Sequence, residues 1–258
     1  MPMELLSLNE ALTGQIYAFM VIFSRLGTAF MLLPGFGDAY VSARIRLLLA
    51  LAITVVVQPI LMPMLPPVPA GVLGMTVLIV KEGFIGVFLG TVTRLLTAAL
   101  DTAGTLISMQ IGLSNAFMFN PALASQGTLI GAYMGYMGIV LLFVTDLDHL
   151  LILAVIGSYE VFVPGAVLPM GDFAEMTTKM VGQSFAIGAQ MAAPFLAVGI
   201  MFNLAVGLLQ KMMPQFQAFS VIMGGQVALG LALFAIVISA TMLFWLRKVQ
   251  DTLMGLLG

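Results

Sequence analysis

Long apolar segments follow one another along the chain, and short clusters of Pro, Gly and polar residues separate them. Four segments contain no Asp, Glu, Lys or Arg, and each is at least as long as the roughly 20 residues that span a bilayer. They cover residues 47–80, 102–145, 180–210 and 212–246. These segments lack the alternation of barrel strands, and backbone groups in hydrocarbon must be satisfied internally. The pattern therefore predicts helices throughout.

The breaks between the apolar runs set the expected helix boundaries. The predicted helices cover residues 11–33, 43–62, 71–108, 128–145, 149–163, 177–210 and 219–246. The breaks are "PGFGD" (34–38), "PMLPPVP" (63–69), "QIGLSNAFMFNPALASQGT" (110–128), "VPGAVLPMGD" (163–172) and "MMPQFQ" (212–217). The segment 71–108 is too long for one straight crossing, so it either breaks or lies largely outside lipid.

Composition places the chain in a membrane. Its 258 residues are 61% hydrophobic and only 8% charged, whereas soluble domains carry about 25% charged residues. We predict an all-α integral membrane protein. The absence of cysteine excludes disulfides, thiol redox chemistry and cysteine metal sites. The net charge of -2 gives no reason to expect a nucleic-acid partner.

The few charges suggest an orientation. Glu4 and Glu10 precede the first basic residue, Arg25, which reverses the order of a signal peptide, so we expect the first segment to be retained. Basic residues concentrate at 44–46 and 247–248. The positive-inside tendency then favours an outside N-terminus and a cytoplasmic C-terminus.

Glycines recur at helical spacing in two stretches. They are "GFIGVFLG" (83–90) and "GAYMGYMG" (131–138). Small residues at this spacing let helices approach closely in a membrane, where no hydrophobic force drives them together. The pattern predicts packed helices without indicating which protein this is.

Five charged residues fall inside apolar segments, and we treat them as a candidate buried charge network. They are Arg25, Lys81, Glu82, Arg94 and Asp101. A charge at membrane depth is costly unless it is paired or reaches water, so such residues mark ion paths or structural pairs. We favour a structural role for Arg25. Adjacent Lys81 and Glu82 point away from each other on a helix.

Candidate chemistry is otherwise sparse. The single histidine, His149, lies near Asp146 and Asp148, but the spacing matches none of the usual ligand patterns. We favour a histidine at the membrane boundary, and we predict no metal, no cofactor and no catalytic residue. Nucleophile elbows and phosphate-binding glycine loops are absent from the sequence.

Four stretches together resemble the FliR family of flagellar export-gate proteins. They are residues 24–59, the element Gln110, Gly112, Asn120 and Pro121, residues 146–165, and residues 193–219. Their order and spacing are similar to the family over nearly the whole chain. The chain departs from the family pattern at Asp148-His149 and at Gln217-Ala218, which puts local contacts in question.

The resemblance implies one copy of this chain in a helical hetero-oligomer with FliP and FliQ, built from long and broken helical hairpins. That assembly lies in the bacterial inner membrane at the flagellar basal body, contacts FlhB and FlhA, and passes unfolded flagellar subunits. A single export-gate domain over residues 1–258 is expected. The resemblance also implies that a loop, at about 110–127 here, plugs the closed pore.

The composition of that loop suits a plug. It carries no charge that would attract ions or passing polypeptides, its Gly, Ser, Asn and Pro residues disfavour a helix, and its Phe and Met residues offer adaptable apolar bulk. The predicted plug residues are Gly112, Leu113, Ser114, Asn115, Phe117, Met118, Phe119, Asn120 and Pro121.

Several alternatives stay open at this point. The loop could be a plain connection, and the chain could be a scaffold on which the other subunits assemble. A secondary transporter using the charges of residues 81–101 would explain the same polar residues in another way. An injectisome counterpart of the export gate would share the fold.

Overall fold

Helices form all the regular secondary structure that a computed structural model of the chain describes, over residues 2–113, 128–212 and 219–257. In chain order they are α1 (Pro2–Phe30), α2 (Ala43–Leu61), a short 3-10 helix (Met62–Met64), α3 (Val72–Gln110), α4 (Leu129–Val144), α5 (Leu147–Val161), α6 (Met170–Met212) and α7 (Phe219–Leu257). The predicted all-α class is confirmed over these residues.

Local sequence explains where several helices begin and end. Helix α1 ends at Phe30, and the chain then turns at Pro34 and Gly35, where Gly35 has a φ of 82°. Ser42 caps α2, where its Oγ accepts a hydrogen bond from the Ile45 N–H at 3.4 Å. Helix α6 begins at Met170 instead of residue 177, and Asp172 in its first turn favours that end of the helix dipole.

Helix α7 also runs past its predicted end at residue 246, as far as Leu257. Trp245, Val249 and Leu253 recur every four residues and are all buried, so they continue one apolar face beyond the charges at 247 and 248. The sequence prediction stopped where charges began, whereas the helix continues because one of its faces stays apolar.

Helix α3 covers the segment that is too long for one straight membrane crossing. It is continuous over 39 residues, which at 1.5 Å per residue makes it about 58 Å long, close to twice the hydrocarbon thickness of a bilayer. The alternative of a break within this segment is therefore wrong.

Four helices among the described residues are long and apolar enough to cross a membrane, and α4 with α5 adds a fifth if the pair forms one broken span. The four cover Ala43–Met64, Val72–Gln110, Met170–Met212 and Gly224–Gly255. Within the most apolar window of each, at most 28% is buried by the chain itself. The remaining apolar surface is available to lipid or to other subunits.

The chain divides into two compact units. The first contains residues 1–94, 145–178 and 253–258, and the second contains residues 95–144 and 179–252. Helices α3, α6 and α7 each contribute one part to each unit. The single export-gate domain over residues 1–258 stays a prediction.

Close contact between α1 and α3 organises the first unit. Gly86 of α3 lies against the backbone of Arg25 and the side chain of Thr28, where an added Cβ would overlap with both. The Thr28 hydroxyl donates a hydrogen bond to the Gly83 carbonyl at 3.0 Å. The glycines of "GFIGVFLG" thus bring the two backbones together, as their spacing predicts.

The second unit is built around Trp245 of α7. This side chain is fully buried, and its Nε1 donates a hydrogen bond to the Leu96 carbonyl of α3 at 2.9 Å. An added Cβ at Gly138 of α4 would lie 3.2 Å from the indole ring. Gly104 and Gly131 meet in the same unit, where a side chain on Gly104 would overlap the Gly131 backbone.

Candidate functional site

A buried ion pair lies in the first unit. Helix α1 places Arg25 and helix α3 places Glu82, and both side chains have no exposed surface. The Arg25 Nε donates a hydrogen bond to Glu82 Oε2 at 2.7 Å, and Arg25 Nη2 lies 2.6 Å from the same oxygen. Among the described residues, these are the two charged side chains that are buried.

Helix α5 supplies the remaining partners of the guanidinium. Arg25 Nη1 donates hydrogen bonds to the carbonyl and the hydroxyl of Ser158, at 3.1 and 3.2 Å, and Nη2 donates to the Phe162 carbonyl at 2.8 Å. The guanidinium carbon also lies 3.9 Å from the centre of the Tyr159 ring, a cation–π geometry. We call Arg25, Glu82, Ser158, Tyr159 and Phe162 the Arg25 cluster.

The Arg25 cluster stabilises the end of α5. The Ser158 carbonyl accepts the Phe162 N–H at 2.8 Å as well as the Arg25 guanidinium, and the helix dipole makes this end of α5 negative. Helix α5 has no basic residue in its last turn, so Arg25 of α1 supplies the positive charge there. One side chain therefore joins α1, α3 and α5, which explains how a charge is accommodated in the core of this unit.

Glu82 is less completely satisfied than Arg25. Its second oxygen, Oε1, is buried and makes no hydrogen bond with a described residue, although the Gly165 backbone lies beside the carboxylate. The neighbouring Lys81 is half-buried, and its Nζ donates a hydrogen bond to the Ala166 carbonyl at 3.3 Å. Both side chains therefore face the loop that follows α5.

The other two predicted members of the charge network are exposed, which corrects the prediction. Arg94 is half exposed and lies 3.7 Å from the carboxylate of Asp38, and Asp101 is exposed as well. At 100° per residue, Arg94 and Asp101 lie about 120° and 100° around α3 from Glu82. They share a face with each other but not with the buried pair, so the network reduces to Arg25 and Glu82.

Two acidic residues lie close to His149 near the start of α5. Ligand atoms of Asp146, Asp148 and His149 lie within 4.8 Å of one another, and His149 Nδ1 is 3.2 Å from an Asp148 oxygen. Asp146 and the His149 side chain are largely exposed. The position of His149 at a membrane boundary stays a prediction.

The base of the predicted plug lies in the second unit. Helix α3 ends at Gln110, and the backbone turns away at Gly112, whose φ is 79°. Gln226 of α7 donates a hydrogen bond from Nε2 to the Gln110 carbonyl at 2.8 Å. Of the predicted plug residues, Gly112 and Leu113 are described. The others lie outside the described residues: Ser114, Asn115, Phe117, Met118, Phe119, Asn120 and Pro121.

Sequence reasoning missed the partners of both sites. Ser158 and Phe162 act mainly through backbone carbonyls, which no side-chain pattern reveals. Gln226 carries a weak signal, because it is an amide within the uncharged run of residues 212–246. The partners are more than 100 residues apart in sequence, so only the tertiary structure shows which residues pair.

The fold and the Arg25 cluster define a class: a polytopic, all-helical membrane protein whose buried charges join helices. The chain matches the family described as bacterial export proteins, family 1, over residues 16–252. It belongs to this family, the FliR family, and acts in flagellar protein export as a structural and transport component.

Its relatives share most of their length with it. The flagellar biosynthetic protein FliR of Caulobacter vibrioides is 36% identical over 239 residues, which are 93% of this chain and 95% of that protein. FliR of Escherichia coli is 30% identical, over 78% of this chain and 77% of its own length. FliR of Bacillus subtilis is 29% identical, with 79% of each chain covered.

Proposed function

We propose that this chain is a non-enzymatic subunit of the flagellar export gate and forms, together with FliP and FliQ, the channel through which unfolded flagellar subunits leave the cytoplasm. The match over residues 16–252 carries this proposal, because it covers the predicted plug and nearly all of the candidate membrane spans among the described residues. FlhB and FlhA are the further partners that we expect.

The apolar surface of the chain supports a role inside an assembly. Large hydrophobic side chains are widely exposed, among them Leu73 at 79%, Val144 at 72% and Ile236 at 78%. Exposed apolar surface on this scale needs lipid or protein to cover it. Helix α3 is longer than a bilayer is thick, so packing on other subunits accounts for the part that lipid does not cover.

The loop after α3 is the plug of the closed channel in this proposal. Irregular backbone at membrane depth is tolerated where it is buried in protein or lines an aqueous cavity. The loop has no charge and contains Phe117, Met118 and Phe119, so it can exclude ions without binding passing polypeptides.

Shortening the loop tests the proposal. Deletion of part of residues 113–124 is expected to make the closed gate leak ions while the assembly still forms. The measurement is membrane conductance in cells, together with co-purification of the companion subunits. Val167→Ser, at an exposed position in the loop after α5, serves as a control that should stay tight. A shortened protein that assembles and remains ion-tight would rule out a plug and leave the scaffold role.

The inner membrane is the location that we propose, with the C-terminus in the cytoplasm. Reporter fusions after residue 258 check the orientation, because a cytoplasmic reporter should be active and a periplasmic one silent. The reverse result would overturn the orientation but not the export role.

The transporter alternative rested on several charges at membrane depth. Among the described residues the buried ones are Arg25 and Glu82, and their contacts account for a structural pair. Loss of small-solute uptake on neutralising Glu82 or Asp101, with the assembly intact, would revive that alternative.

A further inference from the structure

Contacts with α6 and α7 hold the C-terminal end of α3 in place. The last carbonyls of a helix lack partners in their own backbone. Here the Gln110 carbonyl accepts the hydrogen bond from Gln226 of α7, 116 residues away along the chain. The Ile111 and Gly112 amides donate to the carbonyls of Ile107 and Met109 at 3.0 and 3.3 Å. Gly112 then takes a positive φ, so the chain leaves the helix at a defined residue.

Two glycines let α6 and α7 approach this point. A Cβ on Gly230 of α7 would overlap the side chain of Ile111 and lie 3.2 Å from its Cα. Since Ile111 is 3% exposed, it has little space into which it could move. A Cβ on Gly199 of α6 would overlap the Gln110 amide oxygen and lie 3.4 Å from the Gln110 Cβ.

The surroundings of these contacts are tightly packed. Phe195 and Phe202 of α6, together with Leu229 and Leu233 of α7, line a cavity of about 10 Å³ at this place. That volume is close to the minimum that holds one water molecule. A Cβ at Gly230 must therefore displace Ile111, because the cavity cannot absorb it, whereas a Cβ at Gly199 requires the Gln110 amide to move aside.

We infer that Gly199, Gln226 and Gly230 form a socket that holds Gln110 and Ile111 and thereby sets the position from which the predicted plug begins. The inference rests on the proposed function of the loop and adds positioning residues on α6 and α7 to it. A well-placed plug then depends on these two helices as much as on the loop's own composition.

The test compares Gly230→Ala with Gly225→Ala. Both changes replace a glycine of α7, but a Cβ on Gly225 would meet no atom within 4 Å. The gain in helix propensity on replacing glycine by alanine is the same for both variants and cancels in the comparison. We expect Gly230→Ala to raise closed-state ion conductance several-fold with unchanged amounts of co-purified companion subunits. Gly225→Ala should remain at background. If the loop-shortened protein leaks ions but both assembled glycine variants stay at background conductance, the inference is wrong.

Thiol labelling gives a readout that does not depend on the plug. The chain has no cysteine, so Leu113→Cys introduces one thiol immediately after Gly112. Its rate of reaction with a maleimide should rise when Gly230→Ala is added and stay constant when Gly225→Ala is added. An unchanged rate in both overturns the socket even if the loop proves not to be a plug. A leak-free shortened loop with altered labelling overturns the plug and leaves the socket as a purely structural anchor.

Gln226→Met covers the case in which Gly230→Ala does not assemble. Methionine keeps the length of the side chain but removes the hydrogen bond to the Gln110 carbonyl. Gln226→Met is expected to raise the labelling rate at position 113 in the same way. Gln226→Asn shortens the side chain, so its amide should no longer reach the Gln110 carbonyl. Unchanged labelling and unchanged conductance in Gln226→Asn would contradict a role for this hydrogen bond. Gly207→Ala on α6, where a Cβ meets no atom within 4 Å, is the matched control for Gly199→Ala.

Discussion

The Arg25 cluster and the base of the loop fix the chain in opposite ways. In the first unit, one buried guanidinium joins a carboxylate and two backbone carbonyls of a helix end. In the second, the end of α3 is held by a neutral amide and by close packing against glycines. Removing one partner of a buried ion pair leaves the other charge unpaired and strongly lowers the free energy of unfolding. Removing a neutral hydrogen bond lowers it less. The second arrangement suits a region beside a channel, because it places no charge next to the proposed path of the exported polypeptides.

Removing the carboxylate of the Arg25 cluster should have the largest effect. Glu82→Leu leaves the Arg25 charge buried without its counter-ion, which costs about 3–5 kcal/mol of the free energy of unfolding. Thermal unfolding of the purified chain in detergent measures the loss, with Lys81→Gln as the neighbouring control.

The double variant Arg25→Met with Glu82→Leu sharpens this prediction. It removes both charges and should recover part of the lost stability, because no charge then stays buried without its counter-ion. Recovery is incomplete because the Ser158 and Phe162 carbonyls lose their donor. If Glu82→Leu unfolds at the same temperature as Lys81→Gln, the pair does not hold the first unit together.

A neutral contact in the second unit should matter less. Trp245→Phe removes the hydrogen bond to the Leu96 carbonyl and part of a fully buried ring, and we expect a loss of about 1–3 kcal/mol. Unfolding of the same detergent preparation is the measurement, and Phe185→Leu, at a position 62% exposed, is the control. A larger loss than that of Glu82→Leu would reverse the ranking of the two regions.

The exposed ion pair should contribute least. Arg94 and Asp38 lie 3.7 Å apart, with the Arg94 side chain half exposed, and pairs of this kind contribute less than about 1 kcal/mol. Arg94→Gln is therefore expected to unfold within a few degrees of the parent chain. A loss comparable to that of Glu82→Leu would show that Arg94 acts as part of a larger network after all.

Sequence patterns were most informative where one physical effect dominates. Apolar runs without charge predicted the helical membrane class, and glycines at helical spacing predicted the close approaches now seen at Gly86, Gly131 and Gly138. Both follow from the membrane environment alone, in which backbone groups must be satisfied within a helix and small residues permit packing. Tertiary structure was not needed to reach either conclusion.

Pairing of the charges required more than the pattern offered. Arg25 and Glu82 are 57 residues apart, and only the contact of α1 with α3 selects Glu82 over the other acidic residues. The exposure of Arg94 and Asp101 could have been inferred, because their angle around α3 separates them from Glu82. The carbonyls of α5 that bind Arg25 could not, since every residue has a carbonyl. For the same reason the socket at Gly199 and Gly230 emerged only from the packed helices.

The most direct test of the central claim is the native mass of the tagged chain, expressed from its own locus, extracted in mild detergent and analysed with its companions. Membership of an export gate predicts a large hetero-oligomer that contains one copy of this chain and several copies of two other small membrane proteins, FliP and FliQ. A monomer or homodimer without those companions would contradict it.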